Sequence, residues 1–492
     1  MNKGLIRYVM GWVLIILALM LLLPLIVSLI YNDGCWKYFL LISGACGLAG
    51  GISSIFKPKK SQMFIKEGFV SCALAWLLLS IIGALPFVIS GEIPHFANAL
   101  FETISGFTTT GATILGTDRQ IEDLSHSMLF WRSFTNWAGG MGILVFILAV
   151  VTPLSGQSNM YLMKAESPGP VVSKLIPKLK NTAVLLYVIY IIMSVIELIL
   201  LLIGGMPVFD AVTVTFSTAG TGGFSIRNAG IAAYDGNYYL QAVITAFMFL
   251  FGVNFSVYYL VICRKFKQIF KFEELRWYFF IYVFAVAAIG LDLTFRSEVF
   301  SSQLDIWHHA AFQVATYQSS TGFATADFDK WPEFSKNVLL IVAFVGACAG
   351  STGGGLKVSR LIILVKNVFK ELKTMLHPNS VVSVKMDGKT VKDDVIRNTS
   401  VYFTLFIFIF IASVLLLSFD KMDFTTNFTA VLATFNNMGP GLNLVGPTKN
   451  FYDYSDFSKY VLMFDMLAGR LELIPMLMLF KPLSGVGKRI KK

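Results

Sequence analysis

Threonine and glycine recur together at four places in this chain, each time closing a short apolar stretch that a phenylalanine opens. The segments run from Phe101 to Thr113 (FETISGFTTTGAT), Phe209 to Phe224 (FDAVTVTFSTAGTGGF), Phe312 to Thr325 (FQVATYQSSTGFAT) and Phe428 to Gly441 (FTAVLATFNNMGPG). Their chemistry is coordination. Backbone carbonyls replace an ion's water shell only where side chains leave them free, so Thr and Gly at a membrane-buried turn point to a cation filter. Aligning the four phenylalanines without gaps brings together Thr110-Gly111, Thr218-Ala219, Thr321-Gly322 and Asn437-Met438, followed by Ala112, Gly220, Phe323 and Gly439. The second and fourth segments carry glycine one place later, so their filter glycine is Gly220 or Gly439, with Gly222 or Gly223 as a further choice.

Two other features bear on the same chemistry. Ala349-Gly350-Ser351-Thr352-Gly353-Gly354-Gly355 interrupts an apolar stretch, and each glycine weakens a helix by ~1 kcal/mol. The helix is expected to break there, and broken backbone at membrane depth must line a cavity or lie against protein. A plug below the filter is one reading; a close helix crossing through small residues is the other. Arg470 lies within the last apolar stretch, where a cation costs ~3 kcal/mol and faces water or an acid. It is expected to oppose the glycine-rich loop, unless it pairs with Glu472 or the span ends earlier.

These residues need a bilayer around them. With 55% hydrophobic and 14% charged residues over 492 positions, a soluble class is excluded. The expected spans are 11–31, 38–56, 68–90, 127–152, 181–205, 236–262, 275–297, 336–365, 396–418 and 456–482. The fold class is therefore an all-α polytopic membrane protein with ten transmembrane helices. Two amino-terminal helices (1–60) precede four helix, pore-segment, helix repeats around one pore (68–152, 181–262, 275–365 and 396–482). The first stretch is too long for a signal peptide and lacks a small-residue cleavage site. Lys57, Lys59, Lys60, Lys174, Lys178, Lys180, Arg264, Lys265, Lys267, Lys366, Lys370, Lys373 and the 488–492 cluster fall on one side, which is then cytoplasmic, with both termini. The net charge of +11 is a topology signal, and no nucleic-acid partner is expected. The Thr/Gly segments fall on the opposite side among acids that include Glu92, Glu102, Asp210, Asp327 and Asp423, a mouth suited to gathering cations.

Other residues offer less. Asp292 and Arg296 suit a local pair at helical spacing; His308 and His309 lack metal-ligand spacing; the five cysteines form no framework. Lys357 and Arg360 are expected to snorkel to the cytosolic edge, and Gly139-Gly140-Met141-Gly142 to serve close packing, with a bend as the other reading. No organic cofactor and no catalytic residues are expected.

The motifs SGFTTTGAT, GTGGFS, SSTGFAT, FNNMGPGL, GSTGGGLKVSR and AGRLE resemble those of the TrkH branch of the Trk/Ktr/HKT potassium transporters. The resemblance covers residue 68 to the end, and the two extra amino-terminal helices suit that branch. Gly220 departs from it, since many relatives are expected to carry a non-glycine there. The resemblance implies potassium uptake in a bacterial inner membrane, with the K+ ion as substrate, through four units around one ion path. It also implies gating by the loop Gly350, Ser351, Thr352, Gly353, Gly354 and Gly355 with Arg470, a homodimer, and a cytosolic RCK-type nucleotide-binding subunit, TrkA. A carrier coupled to sodium or protons is the competing class, for which Glu197 and Asp465 are the buried acids available.

Overall fold

The computed structural model describes residues 2–56, 58, 65–142, 179–296, 299–300, 302–471 and 473–480. Its helices run α1 (Lys3–Tyr31), α2 (Trp36–Ile55), α3 (Ile65–Ile89), α4 (Phe96–Phe107), α5 (His126–Gly140), α6 (Leu179–Ile203), α7 (Val208–Gly220), α8 (Tyr238–Phe251) and α9 (Phe255–Ile262). They continue as α10 (Phe266–Ile269), α11 (Glu273–Arg296), α12 (Gln303–Ser319), α13 (Glu333–Val345), α14 (Val358–Leu376), α15 (Asp393–Leu417), α16 (Phe424–Phe435), α17 (Asp456–Leu471) and α18 (Leu473–Phe480). Among the described residues, strand is confined to an antiparallel hairpin pairing Lys385–Met386 with Lys389–Thr390.

Six described helices are long and apolar enough to cross a bilayer, namely α1, α2, α3, α6, α11 and α15. Their outward faces carry large apolar side chains such as Leu22, Ile196, Phe284 and Phe408, as expected where lipid takes the place of water. Two expected spans depart from a straight helix. The sixth bends by 95° between α8 and α9, where Asn254 turns back to cap Ser256 N. The eighth stops at Val345 and resumes at Val358, because Gly346, Gly350, Gly355 and Lys357 all take positive φ. The second half of the fourth span (143–152), Lys57, Lys59, Lys60, Lys174, Lys178, Glu472 and the 488–492 cluster lie outside the described residues.

The short helices α4, α7, α12 and α16 each stand between two others, giving the groupings α3–α4–α5, α6–α7–α8, α11–α12–α13 and α15–α16–α17. Helices α1 and α2 lie along each other, with α1 packed on α3 and α5. The short helices are buried nearly all round: α4 from Ala97 to Phe107 and α16 from Thr426 to Phe435 expose little surface. A helix surrounded in this way is held by its neighbours, so its hydroxyl-bearing residues back-bond to their own turns, as Thr103 does to Ala99 O (2.8 Å) and Thr434 to Ala430 O (2.9 Å).

Candidate ion path

All four short helices end by one backbone device. A non-glycine residue adopts the left-handed conformation, at φ 54° in Thr109, 54° in Thr221, 59° in Ser320 and 52° in Asn437. The following amide reaches back five residues: Thr110 N to Ser105 O (2.8 Å), Gly222 N to Ser217 O (2.8 Å), Thr321 N to Thr316 O (2.9 Å) and Met438 N to Ala433 O (2.8 Å). This pairing closes a Schellman motif, normally completed by glycine. Non-glycine residues in this region are strained and persist only where surrounding structure imposes them, which they do mostly at functional sites.

A glycine with positive φ comes next but one in every case: Gly111 (80°), Gly223 (67°), Gly322 (89°) and Gly439 (94°). The four approach one another in chain order. A Cβ on Gly111 would stand 2.3 Å from Gly222 O, one on Gly223 2.0 Å from Thr321 O, one on Gly322 2.0 Å from Met438 O and one on Gly439 2.7 Å from Thr110 O. The last contact returns to the first segment and closes a ring of four segments. A cavity of ≈ 150 Å³ on the loop side touches all four glycines.

This geometry corrects the gap-free register. Thr110, Gly111, Thr321 and Gly322 stand in the ring, and so do Met438 and Gly439, with Asn437 one step earlier as the left-handed residue. Thr218, Ala219 and Gly220 do not: they form the last turn of α7, where Gly220 lies against Asn136 O. Gly222 and Gly223 take the places opposite Thr110 and Gly111, with Thr221 one step earlier as the left-handed residue. The phenylalanine misled, because Phe209 enters α7 one turn early and packs on His126 and Tyr31. The site equivalent to Phe101 is Thr213, counting back eight residues from Thr221 as from Thr109.

Below the ring runs the chain from Gly346 to Lys357. Gly354 N donates to Ser320 Oγ (2.8 Å), and Cβ atoms on Gly353 and Gly354 would meet Ser319 O at 2.8 Å and Asn437 Cβ at 2.5 Å. The glycines therefore allow this loop to touch the ends of α12 and α16. Gly350 lies further off, against α9, where Phe255 N donates to Gly350 O (3.0 Å), and Ser351 Oγ donates to Cys348 O (2.6 Å) within the loop itself. Arg470 reaches the same loop from α17, donating to Thr352 O (2.5 Å) and also to Gly139 O (2.6 Å) and Gly140 O (2.5 Å) at the end of α5. Gly139 itself is packed so closely that a Cβ would meet Phe107 O at 1.9 Å.

Several supports of the loop were not legible as such. Lys357 is fully buried, its Nζ hydrogen-bonded to Gly353 O, and Arg360 lies over the Tyr402 ring at 3.8 Å. Neither snorkels. Glu274, at the start of α11, accepts from Ala349 N (2.7 Å) and Ser359 N (3.1 Å) and so ties both sides of the loop to one carboxylate. No spacing in the chain connects position 274 with 349 and 359, so only the fold reveals it. Asp292 and Arg296 do form the expected i,i+4 pair (3.6 Å).

On the loop side, Glu102 turns out to be internal. It binds Arg132 Nε (2.5 Å), Thr113 Oγ1 (2.8 Å) and Ile114 N (3.0 Å), while Arg132 donates to Ser225 O (2.6 Å) and covers Phe224. The pair thus ties the segment after Gly111 to the segment after Gly223. Asp423 does face the loops, as expected: burial raises its pKa, but hydrogen bonds from Thr426 and Asn443 outweigh this and hold it below the usual carboxylate range. Breaking a buried ion pair by removing one partner costs about 3–5 kcal/mol, so Arg132→Met should lower thermal stability sharply. The double variant Arg132→Met/Glu102→Gln should recover part of the loss; equal stability of wild type and single variant would show the pair to be structurally idle.

The family model for the cation transport protein TrkH matches residues 42–486. The Trk system potassium uptake protein TrkH of Salmonella typhimurium is 36% identical over 485 residues, covering 97% of this chain and 98% of the relative. The Trk system potassium uptake protein TrkG of Escherichia coli is 32% identical, covering 96% and 97%. Among solved structures, the potassium transporter TrkH from Vibrio parahaemolyticus superposes with a TM-score of 0.86 at 31% identity, covering 98% of this chain and 99% of that one.

Proposed function

The chain belongs to the TrkH family of cation transport proteins, and from that premise we propose that it carries potassium into a bacterial cell through a channel-like pore in the inner membrane. The observation that carries this reading is the closed ring of Gly111, Gly223, Gly322 and Gly439. Thr110, Gly222, Thr321 and Met438 contribute the ring's neighbouring carbonyls, and four such rims replace the water shell of a dehydrating ion. The carboxyl ends of α4, α7, α12 and α16 converge there, and each contributes roughly half a negative charge to the field that a cation meets.

The loop from Gly350 to Gly355 is the gate, and Arg470 holds it shut by binding Thr352 together with Gly139 and Gly140. The cation-rich ends, with both termini, face the cytoplasm. There an RCK-type nucleotide-binding subunit, TrkA, would pull on the gate, and two copies of the chain would each hold a pore. The driving force is the membrane potential, worth ~2.3 kcal/mol per charge per 100 mV. The K+ ion is cargo, and no organic cofactor takes part. Relatives are named as transport proteins, which is consistent with the absence of enzymatic chemistry from this scheme.

Liposomes holding the purified protein test the reading. Potassium flux that follows an imposed voltage alone, and exceeds sodium flux, supports a gated pore. Flux that demands a proton or sodium gradient would instead place the protein among coupled carriers, with Glu197 and Asp465 as the acids to examine first.

A further inference from the structure

Between α11, α13 and α14 lies an apolar groove of ≈ 390 Å³, within the range of ligand pockets, roughly 300–1,000 Å³. Phe280 and Phe284 form one wall, Ile341 and Val342 the other, and Val358 and Val365 its floor. It opens on the face where Phe280, Phe284 and Ile341 are exposed, so its natural surroundings are hydrocarbon.

One end is different. Trp277 and Lys366 close the groove there, a Trp and a cation being the pair that marks a membrane interface. From Val365 onward, α14 exposes Val365, Val368, Phe369, Leu372, Met375 and Leu376 along one stripe, while Lys366, Lys370 and Lys373 fall on the polar side. Lys366 is already held by Glu273 (2.5 Å), whereas Lys370 has only a 3.4 Å contact with the exposed Asp393. A helix with this division lies in the headgroup layer and favours anionic lipid.

We propose that the groove is a binding site for one anionic diacyl phospholipid, with an acyl chain between α11 and α13 and its phosphate at Lys370 and Lys373. The apolar lining accepts the chain, the lysines complement the headgroup, and the site is continuous with the lipid-facing surface. Val345 and Val358, which bound the loop from Gly346 to Lys357, both line the groove, so the bound chain packs against both hinges of that loop.

Vesicles containing dibromoacyl phosphatidylglycerol or dibromoacyl phosphatidylcholine at equal mole fraction provide the test. The readout is the quenching of Trp277, taken as the difference between wild type and Trp277→Phe. Phosphatidylglycerol should be preferred by roughly fivefold for each lysine engaged, Lys370→Gln/Lys373→Gln should abolish the preference, and Ile341→Phe/Val365→Phe should lower quenching by both lipids to one equal level. Equal quenching by both lipids in the wild type would reduce the groove to ordinary bilayer contact and overturn the proposal. So would absence of quenching with disulfide cross-linking of Ile341→Cys between two copies, which would assign the groove to a protein interface. Should Trp277→Phe not fold, native mass spectrometry of phosphatidylglycerol retained by wild type and by Ile341→Phe/Val365→Phe decides the same question.

Discussion

Replacing Arg470 by alanine is expected to raise potassium leak ten- to a hundredfold at fixed voltage. The side chain makes charge-assisted bonds to three carbonyls on two separate segments, Thr352 O on the loop and Gly139 O and Gly140 O on α5. A hydrogen bond to a charged group contributes about 1.5–3 kcal/mol. If only the bond to Thr352 differs between shut and open states, its loss moves that equilibrium by about one to two powers of ten. Removing the cation also removes the electrostatic barrier beneath the ring, and this acts in the same direction. Arg470→Lys keeps the charge without the planar fork that reaches two segments at once, so it should restore part of the barrier and leave an intermediate leak. The measurement is rubidium efflux from liposomes at clamped potential, with size-exclusion elution and thermal unfolding as controls. Wild-type leak from an intact Arg470→Ala protein would remove Arg470 from the gate.

The loop and its arginine were legible because each violates a local rule for apolar helices. Glycine clustered at Gly353, Gly354 and Gly355 cannot hold a straight span, and a guanidinium cannot sit in hydrocarbon without partners, so both had to stand out. The partners themselves were not legible. Glu274 reads in sequence as an ordinary acid in a first helical turn, and Lys357 as an ordinary flanking cation, yet both are buried in the loop's hydrogen bonding. Glu102 reads as a loop acid until the fold brings Arg132 to within 2.5 Å. Burial depends on which distant segment arrives, and a single sequence carries little of that. The bend between α8 and α9 was hidden for a similar reason: Gly252 and Asn254 interrupt a stretch that remains apolar throughout.

The register of the second segment is where sequence and structure disagree most usefully, and Gly223→Ala should separate them. Gly223 has φ 67°, and a Cβ there would stand 2.0 Å from Thr321 O. That carbonyl must move, or the segment after α7 must, and a non-glycine residue in such a conformation adds about 1–3 kcal/mol of strain. Either change displaces one rim of the ring, so potassium over sodium selectivity should fall by roughly ten- to a hundredfold. Gly111→Ser should do the same from the neighbouring segment, where a Cβ would meet Gly222 O at 2.3 Å. Thr218→Val makes the contrast, since the Thr218 hydroxyl bonds back to Val214 O (2.9 Å) within α7. Loss of such a back-bond is tolerated or slightly stabilising in a helix, and selectivity should stay within about twofold of wild type, a free-energy change well under 1 kcal/mol. Reversal potentials under bi-ionic conditions read both variants. If Thr218→Val lost selectivity and Gly223→Ala kept it, the phenylalanine-based register would be right and the ring of Gly111, Gly223, Gly322 and Gly439 would be a packing feature beside the ion path.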